Sequence, residues 1–127
     1  MNDRSDIAAA TAKRLFGVDL DLAPRPGELE AAADMRRIFS EHAFTDSWTR
    51  TALDDQTRSL ITIAILSTLG ATTELRLHVH GALTLGVSPA QIAEACLHLG
   101  VYAGVPRANA AWSLAREVIE SRTQQDD

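Results

Sequence analysis

Residues 60 to 66 read LITIAIL. On a helix of about 3.6 residues per turn their apolar side chains spread over nearly every side. A helix that is apolar all round is a buried helix, so this stretch predicts a central element against which the others pack. The punctuation of the chain agrees with a helical reading. Glycine and proline fall at FGVDLDLAPRPG, at Gly70, at GVSP and at AGVP, and between these marks the apolar residues recur at helical spacing. The expected fold class is all-α, a single-domain bundle of about six helices.

The helices can be placed one by one. The first covers Asp6 to Phe16, and the loop through Pro24 and Pro26 separates it from the rest, so residues 1–26 read as an N-terminal helix and linker arm and 27–127 as the main helical domain. The second runs from Gly27 to Ala43, with HAFTDSWTRTALDD after it as a loop. Asp54 or Asp55 caps the third, which carries LITIAIL. The stretch TTELRLHVHGALTLG supplies the fourth. Ser88, Pro89 and Gln91 form a capping-box signature for the fifth, which runs to Tyr102 and ends near Gly104. The sixth follows VPRAN, with the polar tail SRTQQDD expected to fray.

Composition removes several functions. A chain of 127 residues with 46% apolar and 23% charged residues is ordinary globular material. No apolar run approaches the roughly 18 residues that a membrane span needs. The opening MNDRSDIAAATAKR lacks the apolar core of a secretory signal, so a cytoplasmic location is the expectation. Cys96 is the only cysteine, which leaves no intramolecular disulfide, dithiol pair or zinc cluster to build. A net charge of −5 argues against nucleic-acid binding, though not against a small anionic substrate.

Chemistry concentrates in the fourth helix. Glu74 and His78 are four residues apart, about 40° around the axis, so their side chains can meet. A carboxylate beside a histidine can set its tautomer and raise its pKa, which suits proton transfer near neutral pH. The same spacing also serves a plain solvated contact. His78 and His80 differ by about 200°, so one uninterrupted helix cannot bring both to a metal. No other ligand spacing is recognisable, and no metal is expected.

Taken in order, RSLITIAIL, TELRLH with GALTLGVSPAQIAEA, and VYAGVPRANAA resemble the carboxymuconolactone decarboxylase family, as does HAFTDSWTR upstream. The similarity covers about Leu15 to Glu120. It implies the alkylhydroperoxidase-like fold, assembled as a ring-shaped homo-oligomer, trimer or hexamer, with no metal or organic cofactor. The related peroxidases carry C-x-x-C-x-x-x-H on the fourth helix. Here those positions read Ala71, Glu74 and His78, so disulfide exchange is not expected, and Cys96 reads as a small core residue.

The implied reaction is decarboxylation of 4-carboxymuconolactone to the enol lactone of 3-oxoadipate, in the protocatechuate branch of aromatic catabolism. The departing carboxylate is γ to the lactone carbonyl and conjugated to it, so the electrons released with CO2 flow into that carbonyl as a dienolate. The enzyme must then stabilise an oxyanion and protonate the carbon α to the carbonyl. The resemblance assigns His78 as proton donor or as hydrogen-bond partner of the oxyanion, with Glu74 orienting it. Arg50 and Arg58 are candidates to hold the second carboxylate of the substrate, Arg58 also suiting a surface or interface salt bridge. Trp48 either walls the pocket or packs in the core, and His42 can cap its helix.

Four positions, in three places, depart from the pattern that the resemblance leads one to expect of the decarboxylases. They have arginine where this chain has His80, an asparagine pair at Thr84 and Leu85, and glutamine at His98. All three are polar contacts, which places His80 and His98 among the candidate substrate-binding residues and opens a second reading, a family member recruited to another cyclic or carboxylated substrate in specialised metabolism. A third is a non-catalytic oligomer that binds a small ligand. Glu94, His98 and Tyr102 form a further row at helical spacing on the fifth helix, either a polar stripe facing the same cavity or a neighbouring subunit, or a plain exposed row with Tyr102 tucked at its end, the reading preferred for Glu94.

Overall fold

The computed structural model describes residues 3–126. Among these it contains six α-helices and one π-helix and no strand: α1 (Arg4–Phe16), α2 (Glu30–Glu41), the π-helix His42–Ser47, α3 (Asp55–Leu69), α4 (Thr72–Thr84), α5 (Pro89–Ala103) and α6 (Val105–Asp126). The chain divides into two compact units, Met1–Leu53 and Asp54–Asp127.

In the first unit, Asp3 caps α1 by accepting from the Asp6 amide at 2.8 Å, and Gly17 ends the helix in the left-handed region at φ 67°. The inner face of α1 is Ala8, Thr11, Ala12 and Leu15. Arg4 makes a two-pronged ion pair with Asp46, at 3.0 and 2.7 Å, and the Thr45 hydroxyl donates to the Arg4 carbonyl at 3.0 Å. Phe16 meets Phe44 and Trp48 edge to face, with centroids 6.1 and 5.2 Å away. The proline-bearing loop is held by Arg36, which donates to the carbonyls of Asp21 and Ala23 and pairs with Glu28.

The HAFTDSWTR stretch differs from the expected loop. Its first six residues form a π-helix continuous with α2, and the Trp48 amide reaches back five residues to the Ala43 carbonyl at 2.9 Å. Asp46 and Thr45 are tied to Arg4, 42 and 41 residues away. A wide turn stabilised by such distant partners leaves no local signature. The second helix also starts later than expected, at Glu30, because Gly27 takes a positive φ of 75° just before it.

In the second unit, Asp54 caps α3 through the Thr57 amide at 2.7 Å, and Gly70 at φ 71° turns the chain into α4. The Ser88–Gln91 capping box of α5 is complete in both directions, at 2.9 and 3.1 Å. α6 begins immediately after Gly104 and runs on through most of the polar tail that was expected to fray. The core gathers Ile63 from α3, Leu75, Val79 and Ala82 from α4, Val87, Ile92 and Cys96, and Ala111, Leu114, Ala115 and Val118 from α6.

The expectation that α3 is buried all round is corrected. Its inward face is Ser59, Ile63 and Ser67, while Ile61, Ile65 and Leu69 are 44, 53 and 68% exposed. Both serines are buried, and Ser67 donates its hydroxyl proton to the Ile63 carbonyl at 2.7 Å. The apolar residues that remain face outward.

Replacing Ser88 with alanine removes the side-chain half of the α5 cap. The expected cost is about 1 kcal/mol of unfolding free energy, read as a lower urea midpoint at unchanged m-value.

Candidate active site

α4 is the element on which the sequence places the chemistry, and its packing determines what those side chains meet. Leu75, Val79 and Ala82 anchor one stripe of the helix in the core. His78 lies beside this stripe and is half buried, with its Nδ1 shielded from water. Glu74, one turn earlier, is exposed in the first turn of the helix. Burial lowers the His78 pKa from its ordinary value, and the negative charge of Glu74 opposes that shift without cancelling it. The carboxylate therefore acts on the histidine as its spacing suggests, but desolvation is the larger effect. His78 is held toward its neutral form.

His80 occupies a separate environment. It is half buried, and its pKa is lowered first by burial and then by the positive charges of Arg122 and Arg76. Arg76 donates in turn to Glu117 at 2.9 Å. The uninterrupted course of α4 keeps the two histidines on different sides, and among the described residues no three histidine, cysteine, aspartate or glutamate side chains gather as a metal site. Arg58 is half buried in the first turns of α3, with its Nε out of water. Cys96 is buried in the core, and burial pushes its thiol pKa up, away from the reactive thiolate.

The remaining candidates fall elsewhere. Trp48 is buried in the first unit against Phe16, and Arg50 is exposed there with its amide donating to Ser47. His42 stands at the C-terminal cap of α2 with its Nδ1 3.0 Å from Asp46. On α5, His98 and Tyr102 are both exposed and their rings lie 5.2 Å apart. They line a groove of about 560 Å³ between α3 and α5, walled mainly by Leu60, Ile61, Ile65 and Leu99. A smaller depression of about 480 Å³, sharing Leu60, Ala95 and His98 with it, extends past Glu94. Among the described residues, neither Glu74 nor His78 is in these walls. The α3 wall of the groove was not read from the sequence as a site. Its signal was there in the surplus of apolar residues in LITIAIL, beyond what one buried face requires.

Residues 33–117 match the model of the carboxymuconolactone decarboxylase family, a span that includes all of α3, α4 and α5. The chain belongs to the carboxymuconolactone decarboxylase family. It is 40% identical over 87 residues to a 4-carboxymuconolactone decarboxylase of Acinetobacter baylyi, covering 68% of this chain and 65% of that protein. A nitrosuccinic acid decarboxylase of Metarhizium robertsii is 35% identical over 95 residues, covering 75% of this chain and 61% of the relative. An uncharacterised 15.0 kDa protein of Paracoccus denitrificans is 33% identical over 88 residues, 68% of this chain and 63% of its own length. The aligned stretch thus spans slightly under two thirds of each of these relatives.

The His78 environment makes a prediction about stability. Because its folded pKa is lowered, the unfolded chain binds the proton more readily, and stability falls as pH drops below about 6.5 toward the folded value. His78→Gln is expected to flatten this part of a pH series of urea midpoints. The slope that His80 contributes, which has the same sign, should survive.

Proposed function

We propose that this member of the family is a decarboxylase of small carboxylated substrates, with 4-carboxymuconolactone as the leading substrate. The observation that supports this best is the state of His78, a half-buried histidine held toward neutrality beside a carboxylate one helical turn away. Loss of CO2 from the γ carbon leaves an electron pair that passes through the double bond onto the lactone oxygen. A hydrogen-bond donor aimed at that oxygen lowers the barrier, and the reaction closes when a proton reaches the α carbon.

In this reading the resting His78 is neutral, and the negative charge of an arriving substrate favours its protonated form. The proton taken up on binding is the one delivered to the dienolate. Glu74 supports the imidazolium electrostatically, and of the two arginines that the family resemblance offers for a second carboxylate, Arg58 is the one in the same unit as His78. The family resemblance adds the expectation of a homo-oligomer.

The nitrosuccinic acid decarboxylase similarity supports a second substrate reading. A nitro group accepts an electron pair from a neighbouring decarboxylation as the conjugated carbonyl does, so the same two requirements, oxyanion stabilisation and a proton, would serve another acid. The departures at His80, Leu85 and His98 favour keeping this reading open, since leucine removes polar contacts and histidine lacks the permanent two-pronged charge of arginine.

Incubation with each acid, following CO2 release and product formation, separates the readings. Turnover of 4-carboxymuconolactone supports the first and turnover of nitrosuccinic acid alone the second. A well-folded protein that turns over neither would be better described as a binding protein.

For the active substrate, His78→Ala is expected to lower kcat about 10²- to 10⁴-fold, the usual range for removing a proton-transfer group. Glu74→Gln should cost less, about tenfold, and the double variant should lose less than the product of the two. Circular dichroism checks that each variant is folded. Near-normal rates for His78→Ala would remove the assignment. Calorimetric binding of a substrate analogue that cannot lose CO2 should show proton uptake near neutral pH, absent in His78→Gln.

A further inference from the structure

α3 carries five hydroxyl side chains, and four of them commit their proton to the helix itself. Thr62, Ser67 and Thr68 donate to the carbonyls of Arg58, Ile63 and Ala64, at 2.9, 2.7 and 2.8 Å, and Thr57 bonds the capping Asp54. Ser59 is the exception. It has no exposed surface, and among the described residues its hydroxyl oxygen has no hydrogen-bond partner. A buried hydroxyl left unpaired destabilises a fold that alanine at the same place would not disturb. An oxygen held there points to a partner that the resting protein does not yet present.

The hairpin of α3 and α4 narrows the choice of partner. At its closed end the Ala71 amide donates to the Leu66 carbonyl at 3.0 Å, and at its open end Gln56 donates to the Leu85 carbonyl at 2.9 Å. Counted from the closed end, Ser59 is level with His78; counted from the open end, it is level with Ala82, one turn further along the same face of α4. Ser59 belongs to the inward face of α3 with Ile63 and Ser67, and Ala82 is fully buried. His78 Nδ1, in this same turn of α4, is shielded from water.

We propose that Ser59 is a positioning residue for His78: when the imidazole takes up a proton, its Nδ1–H donates to the Ser59 oxygen, which fixes the ring with Nε2 toward the substrate. A charged imidazole has two N–H donors, and the one withdrawn from water needs an acceptor inside the protein. The Nε2 proton is the one delivered to the dienolate, and the ring returns to neutral with its other hydrogen on Nδ1. A neutral N–H is the weaker donor, so the bond loosens once that proton has left.

The surrounding charges leave this role to Ser59. Glu74, on α4 itself, acts on His78 through its charge from an exposed position. Arg58 of α3 is a cation and cannot accept a proton. On α6, Glu117 pairs with Arg76 and Arg122 acts on His80. The proposal rests on the reading above in taking His78 as the proton carrier.

Titration of the His78 imidazole by nitrogen-15 NMR, on the protein without substrate, tests it; the signal is the one absent from His78→Gln. Ser59→Ala should lower the titration midpoint by about one pH unit, a tenfold loss of proton affinity, because the charged ring loses its acceptor. Ser59→Cys, whose sulfur is a weak acceptor, should move in the same direction and decides the matter if the alanine variant does not fold. Ser67→Ala, which removes a hydroxyl already committed to the helix, should leave the midpoint in place. A midpoint in the deciding Ser59 variant equal to or above that of wild type would overturn the proposal, as would an equal fall in Ser67→Ala. Since the titration uses no substrate, absence of turnover on both acids would count against the decarboxylase reading alone.

Discussion

The arrangement of the second unit depends on one stripe of α4. Val79 and Ala82 have no exposed surface, and with Leu75 they sit in the same cluster as Ile63 from α3 and Ala111, Ala115 and Val118 from α6. Close-packed interiors resist rotation of their members, so this stripe settles the angle of the helix about its own axis. Once that angle is set, His78 must lie at the margin of the core, Glu74 must remain in water one turn away, and His80 must face Arg76 and Arg122. The chemistry of α4 follows from its packing.

Two opposing effects meet at His78. Removing an imidazole from water disfavours its charged form, and a carboxylate nearby favours it. Here the first outweighs the second. A histidine in this state can change charge when an anion arrives, which a fully exposed histidine or one in a tight ion pair does less readily. Cys96 shows the contrast: its burial has no neighbouring charge to offset it, and it remains a small apolar filler.

α3 carries a different message. Its inner face is lined by Ser59 and Ser67 with Ile63 between them, while larger isoleucines and a leucine point away from the core. The outward residues Ile61, Ile65 and Leu69 form the α3 wall of the groove beside α5.

What the sequence alone determined was local. Helix caps were legible because a cap is chemistry between residues three apart: Asp54 with Thr57, Ser88 with Gln91. The turn at Gly70 was legible for the same reason, as was the nearness of Glu74 to His78. The family itself was legible, because the order of several motifs is a property of the chain. Tertiary structure decided what depends on distant partners. The π-helix at His42–Ser47 is tied to α1 through Arg4 and Asp46, 42 residues apart, so HAFTDSWTR by itself looks like a loop. The inward face of α3 could not be read from LITIAIL, because a helix apolar on all sides gives no amphipathic direction and only its neighbours choose one. The net direction of the His78 pKa was undecided for the same physical reason: spacing reveals the charge next door, and only packing reveals how much water has been removed.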